Sequence, residues 1–364
     1  MTNDVNLKNF DSWLKFLNKE RPICIAGPCS AESEHQIMET AKQLKNITEL
    51  TIFRAGIWKP RTRPNTFEGV GEKGLPWLKK VKNELGMFVT TEVANGHHVE
   101  KALKNDIDIL WIGARSTANP FVVQEIADAL KGVNIPVMIK NPINPDTALW
   151  LGAIERIHSV GIDKIAGIHR GFSSFDVKKF RNPPQWQIPI ELRNYIPNIP
   201  MICDPSHIVG NKKWIEEISQ KAMDLNFDGL MIESHFDPKS ALSDAQQQLT
   251  PKDLKKLLDK IRIRRLVGED DKLNNTLSAM RSLIDDLDAN LLDTMEKRMK
   301  VVETIGMFKK QNNLIVLQQK RWDELMKRNL SISKKKGLSK AFVNSFFKSI
   351  HQESINKQSK IIND

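Results

Sequence analysis

Residues 22–262 alternate eight short apolar, β-branched runs with longer stretches of helical composition, and that rhythm restricts the fold more than any other feature. The runs are 23–27, 51–56, 87–93, 109–114, 137–142, 164–169, 201–206 and 229–234. Helix-like segments lie between them, at 34–46, 121–130, 146–158 and 212–226. Ser33 and Gln36 have the spacing of a capping box, and Asn119-Pro120 and Asn144-Pro145 stand where helices should begin. Eight strand–helix units in about 240 residues predict an α/β fold, a (β/α)8 TIM barrel. The competitor is a doubly wound open sheet. No glycine-rich dinucleotide fingerprint follows the first run, which counts against it.

The alternation stops near 262. Residues 263–272 read as a charged linker, shifting from basic to acidic around Gly268. From Leu273 to the end there is no strand run and no proline. Apolar residues recur at Leu277, Met280, Ile284, Leu287, Leu291, Met295, Met299, Val302 and Ile305, in steps of three and four. Such spacing predicts a helix of about 35 residues that cannot bury its stripe alone. Residues 316–330 and 338–359 are its expected helical partners. The domains are therefore expected at 1–262 and 273–364.

Three cysteines, Cys24, Cys29 and Cys203, are too few and too odd in number for a disulfide framework. Cys24 and Cys203 lie inside strand runs and are expected to be small buried hydrophobes. The N-terminus has no secretory pattern, and no segment approaches a membrane span, so a cytoplasmic protein is expected. The net charge of +11 is spread along the chain. Its longest run, Lys334-Lys335-Lys336, is read as a solvated loop, so small anions are favoured over nucleic acid.

In a barrel of this kind, chemistry gathers where the strands end. Those ends carry Cys29, Arg54, Glu92, Arg115, Lys140, Arg170, His207 and Glu233. Two groups stand out. Arg54, Lys59, Arg61, Arg115, Lys140 and Arg170 would crowd positive charge around one mouth, which is costly unless polyanions fill it. Cys29, His207, Glu233 and Asp244 offer sulfur, nitrogen and two carboxylates. That set suits one divalent Mn²⁺, Fe²⁺, Co²⁺ or Zn²⁺ ion better than Mg²⁺, although the spacing is no local metal motif. His169 and His235 are placed near the mouth, and His35, His97, His98, His158 and His351 on solvated helix surfaces.

Gly27-Pro28-Cys29-Ser30, Lys59-Pro60-Arg61-Thr62, Ile112-Gly113-Ala114-Arg115, Asp204-Pro205-Ser206-His207 and Leu242-Ser243-Asp244 resemble the signatures of the DAHP synthases, in that family's order. The resemblance implies condensation of phosphoenolpyruvate with erythrose 4-phosphate. It makes Cys29, His207, Glu233 and Asp244 the ligands of a divalent metal, Mn²⁺ foremost. It assigns Arg54, Lys59 and Lys140 to the phosphoenolpyruvate carboxylate region, and Arg115 and Arg170 to its phosphate. Gly113 and Ala114 would line the substrate site, and Arg61 and Thr62 would take the sugar phosphate. The related synthases that use arabinose 5-phosphate share the barrel and metal set; Lys-Pro-Arg-Thr is typical of the erythrose 4-phosphate users.

In the tail, Arg298 and Lys309 are eleven apart and about 20° from each other on a helix, whereas Arg281 points about 100° away from Arg298. Ser354 and Gln358 share a face at i, i+4. Together with Arg321 these residues resemble the all-helical chorismate mutases across 277–358. That resemblance implies an intertwined homodimer, possible higher oligomers, and rearrangement of chorismate. It assigns Arg298 and the partner's Arg281 to the substrate carboxylates, Lys309 and Gln358 to the ether oxygen, and Arg321 and Ser354 to the lining. Many members of the family read the substrate's ring hydroxyl with acidic residues where this chain has Gln318 and Trp322. A tail that chiefly dimerises and senses ligand is the alternative. With only about 20 residues before the barrel, feedback by prephenate or chorismate is expected to run through the tail.

Overall fold

The computed structural model describes residues 13, 22–47, 50–59, 66–174, 179–265 and 271–363. The chain divides into two compact units, Met1–Leu266 and Val267–Asp364. In the first unit the elements run β1 (Ile23–Gly27), α1 (Glu34–Lys45), β2 (Leu50–Arg54), α2 (Leu75–Leu85), β3 (Phe88–Val93), α3 (Gly96–Lys104), β4 (Ile109–Ile112), α4 (Ala114–Thr117) and α5 (Pro120–Ala129). They continue with β5 (Val137–Lys140), α6 (Thr147–Ser159), β6 (Ile165–His169), α7 (Gln187–Tyr195), β7 (Met201–Cys203), α8 (Pro205–Val209), α9 (Ile215–Asp224), β8 (Gly229–Glu233) and α10 (Pro251–Lys260). All eight strands are parallel, each pairs with the next, and β8 pairs with β1 to close the barrel. This is the expected (β/α)8 fold.

Successive strand residues point to opposite faces, and this period of two sorts the core. Ile23 and Ile25, Ile52, Ile109 and Trp111, Met138, Ala166 and Ile168, Ile202, and Met231 fill the lumen. Their neighbours Cys24 and Ala26, Phe53, Leu110, Val137, Ile165 and Cys203 pack outward against the helices. Cys24 and Cys203 are thus the buried hydrophobes expected. The same parity aims strand-end residues: Arg54, Lys140 and Glu233 each follow an inward apolar residue by two.

Ser33 and Asn119 cap helices where the sequence placed them, whereas α6 is capped by Asp146, two residues past Asn144. Ser33 Oγ accepts from the Gln36 amide, and Gln36 Oε1 accepts from the Glu32 amide one residue before the cap, a variant of the capping box. The run at 201–206 is strand for only three residues. Asp204 caps α8 there, and Pro205 occupies its first turn, where a missing N–H costs nothing. The segment from 212 opens as a 3₁₀ turn (Lys212–Trp214) before α9 begins.

The second unit is helical: α11 (Asp271–Gln311), α12 (Gln319–Lys335) and α13 (Lys340–Asn363). Helix α13 packs against both α11 and α12. Gly306 lets α13 come close to α11, since a Cβ there would meet Ile361 and Gln358 at 3.2–3.4 Å. Lys334 and Lys335 form the last turn of α12 rather than a loop. They are exposed, and cations at a helix C-terminus are favoured by its dipole. No helix among the described residues is long and apolar enough to cross a membrane.

Candidate active sites

At the C-terminal end of the barrel, Cys29, Glu233 and Asp244 bring their donor atoms within 4.8 Å of one another. Cys29 Sγ lies 3.2 Å from Asp244 Oδ2, and His207 Nε2 lies 3.7 Å from Glu233 Oε1. Three of the four residues expected as ligands therefore meet, from the ends of β1 and β8 and the loop after β8, and the fourth, His207 after β7, stands beside Glu233. Gln247 Nε2 donates to Glu233 Oε2 at 2.7 Å, leaving buried Oε1 without a hydrogen-bond partner among the described residues. Gln248 accepts from the Cys29 amide and donates to Ser243 O, and Ser30 Oγ bonds Ser243 Oγ. Asp244 itself adopts φ +50°, a strained conformation for a non-glycine residue that these bonds hold in place.

The electrostatics explain how three acidic groups coexist. Burial raises the Cys29 thiol to about 12, and Glu233 adds to the effect. Burial alone would also raise the Glu233 carboxyl, but His207 and Arg54 outweigh it and hold it below its ordinary range. Burial of Asp244 is likewise outweighed, by His207 and Arg181. Lys59 Nζ sits 3.1 Å from Cys29 Sγ, and Arg54 Nη2 sits 3.4 Å from Glu233 Oε1. A thiol, two carboxylates and a neighbouring imidazole fit a divalent transition ion, which would displace the thiol proton.

Beside this cluster opens a cavity of about 420 Å³ lined by Ala114, Arg115, Lys140, Arg170 and His207, with Glu92 and Arg181. Arg115, Lys140 and Arg170 thus converge as expected. Burial and the neighbouring Arg181 and Arg115 press the Arg170 guanidinium down to about 10, partly offset by Asp204. An anion in the cavity would relieve that repulsion. Arg54 and Lys59 instead face the cysteine–carboxylate cluster. Gly113 leaves room for the Glu92 side chain of the cavity wall: a Cβ there would stand 2.1 Å from Glu92 Oε1. The other Glu92 oxygen accepts from Trp111 Nε1 at 2.9 Å, and the Arg54 guanidinium lies 4.9 Å from the Trp111 ring centroid. Arg61 and Thr62 lie outside the described residues.

Two participants had no place in the sequence-based site. Asp204, fully buried, pairs with Lys140 at 2.7 Å and with His207 Nδ1 at 2.8 Å. Burial would raise its carboxyl, yet His207 and Lys140 hold it well below the usual range. Its inward parity from Ile202 was a usable signal. Arg181 donates to Asp244 Oδ1 at 3.0 Å and to Gln247 Oε1 at 3.2 Å. It reaches them because Gly210, at φ +66°, leaves room for its side chain: a Cβ there would meet Arg181 at 2.7 Å. Nothing in the sequence marks this residue, which sits in a long connection. His169 is not at the mouth. Its parity turns it outward, where it packs on Trp186, Phe172 and Phe227, and burial and Arg170 lower its imidazole to about 3. His235 is buried behind the Asp244 loop, 4.0 Å from Glu32.

In the helical unit, Arg298 Nη1 donates to Ser354 Oγ at 2.7 Å, and Lys309 Nζ donates to Val316 O at 2.6 Å. Lys309, Ser354 and Gln358 are buried, and burial lowers both Arg298 and Lys309. Gln358 Oε1 has no hydrogen-bond partner among the described residues. Arg298 thus lies on the α11 face packed by α13, while Lys309 turns to the connection between α11 and α12. Arg281 and Arg321 are exposed, the latter 3.5 Å from Glu324. Two histidines expected in solvent are stacked instead: His98 on Trp58 at 3.8 Å, and His351 on Trp322 at 4.0 Å.

Comparison with known proteins agrees with both units. Residues 16–264 match the profile of the DAHP synthetase I family, and residues 280–359 that of chorismate mutase type II. A phospho-2-dehydro-3-deoxyheptonate aldolase of Thermotoga maritima is 33% identical over 239 residues, covering 65% of this chain and 68% of the relative. A 2-dehydro-3-deoxyphosphooctonate aldolase of Polaromonas naphthalenivorans is 29% identical over 280 residues, 70% of this chain and 94% of its own. The crystal structure of the Thermotoga maritima DAHP synthase superposes with a TM-score of 0.59 at 31% identity, over 65% of this chain and 67% of the other. The chain therefore belongs to the DAHP synthetase I family, a transferase barrel, and carries a chorismate mutase type II domain, an isomerase, on the same polypeptide.

Proposed function

We propose that the barrel condenses phosphoenolpyruvate with erythrose 4-phosphate to DAHP and phosphate, and that the helical unit converts chorismate to prephenate. The observation that carries the first half is the Cys29–His207–Glu233–Asp244 cluster opening directly onto a cavity of arginines and lysine. Those four residues would hold one divalent ion, Mn²⁺ foremost, which supplies Lewis acidity toward the sugar aldehyde. Arg54, Lys59 and Lys140 receive the carboxylate region of phosphoenolpyruvate, and Arg115 and Arg170 its phosphate, beside Gly113 and Ala114. Arg61 and Thr62 take the sugar phosphate. Holding two polyanions together in one cationic cavity lets the methylene carbon reach the aldehyde. Water then adds to the former enol carbon, and phosphate leaves by C–O cleavage.

The mutase reaction is unimolecular and needs no nucleophile. Arg298, with Arg281 from a second copy, would clamp the two carboxylates, and Lys309 and Gln358 would meet the ether oxygen where charge grows; Arg321 and Ser354 complete the lining. A homodimer through this unit is supported by Leu277, Met280, Ile284 and Leu287, a heptad stripe left 46–67% exposed on α11. Prephenate or chorismate bound there would lower barrel turnover, a coupling of about 1–3 kcal/mol.

The test follows phosphoenolpyruvate loss with erythrose 4-phosphate and Mn²⁺ while prephenate is titrated. Turnover that falls with prephenate supports synthase and feedback together, whereas turnover indifferent to prephenate removes the feedback. Turnover with arabinose 5-phosphate alone moves the barrel to the reaction named for its octonate relatives.

A further inference from the structure

Helix α13 presents His351, Ser354 and Gln358 at i, i+3 and i+7, within about 60° of one another around its axis. Ser354 is bonded to Arg298, so this face is the one that borders the mutase site proposed above. His351 lies flat on Trp322 of α12, with ring centroids 4.0 Å apart and planes 16° apart. The stack fixes the plane of the imidazole. Its Nε2 is buried and has no hydrogen-bond partner among the described residues. A buried polar atom left in this way is destabilising unless a ligand satisfies it.

The chemistry of the neighbours says what that ligand group is. Arg298 and Lys309 are donors and match anionic or ether oxygens. Burial and nearby Arg298 lower the His351 imidazole, which favours the neutral ring, and the tautomer with its proton on Nδ1 leaves the lone pair on Nε2. A lone pair needs a donor. Chorismate, with its carboxyl groups ionised, has a single hydrogen-bond donor, its ring hydroxyl.

We propose that His351, clamped by Trp322, is a specificity-determining residue of the mutase site that accepts a hydrogen bond from the substrate's ring hydroxyl. The assignment rests on the chorismate reading of this unit. It also accounts for Trp322, whose indole cannot accept that bond but holds the imidazole that does.

The experiment uses the full chain with chorismate and with the analogue in which hydrogen replaces the ring hydroxyl. Wild type should favour chorismate in kcat/KM by about tenfold or more, because a site built to bond a hydroxyl rejects the analogue without it. His351→Phe keeps the stack and removes the acceptor; the ratio should fall to within about twofold of one. His351→Gln, which restores an acceptor, should regain part of it. A wild-type ratio near one overturns the assignment without any variant. So does a phenylalanine variant that slows both substrates equally, since that is the mark of a merely structural role. A wild type that turns over neither compound removes the chorismate reading and the assignment with it.

Discussion

Replacing Asp204 by asparagine removes a carboxylate that ties the cationic cavity to the candidate metal cluster. Asp204 is fully buried, Lys140 is 4% exposed, and their charged atoms are 2.7 Å apart. Asparagine can still cap α8 through its Oδ1, so the cap is retained. What is lost is the charge. The amide leaves the Lys140 ammonium buried without a counter-ion, and removing one partner of such a pair costs about 3–5 kcal/mol. His207 Nδ1 loses its carboxylate partner as well, and removing a carboxylate that orients a ligating histidine typically weakens metal binding about 10- to 100-fold. Urea unfolding of the full chain measures the first effect, and Mn²⁺ titration by calorimetry the second. Stability within about 1 kcal/mol of wild type, together with unchanged Mn²⁺ affinity, would refute the reasoning, because it would mean that neither Lys140 nor His207 depends on this charge.

His169→Phe should flatten the acid side of the stability profile. The folded-state imidazole is lowered to about 3 against about 6.5 unfolded, so wild type loses stability as pH falls from 6.5 toward 3, by up to about 1.4 kcal/mol per pH unit; urea midpoints at pH 6.5 and 5 measure it, and parallel losses in both proteins would contradict the assignment. Gly113→Ala places a methyl group 2.1 Å from Glu92 Oε1 and should push that carboxylate off Trp111, costing about 1–3 kcal/mol with a fall in barrel turnover; an unchanged thermal midpoint would count against it. Arg298→Ala should lower chorismate turnover by about a hundredfold or more while phosphoenolpyruvate consumption persists, and normal chorismate loss would refute the site.

The barrel was legible because each strand announces itself by composition and eight repeats leave little choice of topology. Strand-end position made most of the site legible, and register explains why: Arg54, Lys140 and Glu233 follow inward apolar residues by two and do reach the lumen. His169 shows what happens when parity is ignored, since strand-end position alone placed it at the mouth while its register turns it into the aromatic layer. Arg181 was illegible for a different reason. Its position depends on the turn at Gly210 and the loop carrying Asp244, which meet only in three dimensions. In the helical unit, periodicity placed Arg298 and Lys309 on one face, but a helical wheel could not show that His351 leaves solvent to stack on Trp322.

Trp111 gives the barrel a floor. It fills the lumen beneath Arg54 and Lys140, with the Arg54 guanidinium 4.9 Å and Lys140 Nζ 5.9 Å from the ring centroid. The electron-rich face of the indole thus meets two cations at once. The side chain that packs the centre of the barrel thereby also steadies the charge gathered above it.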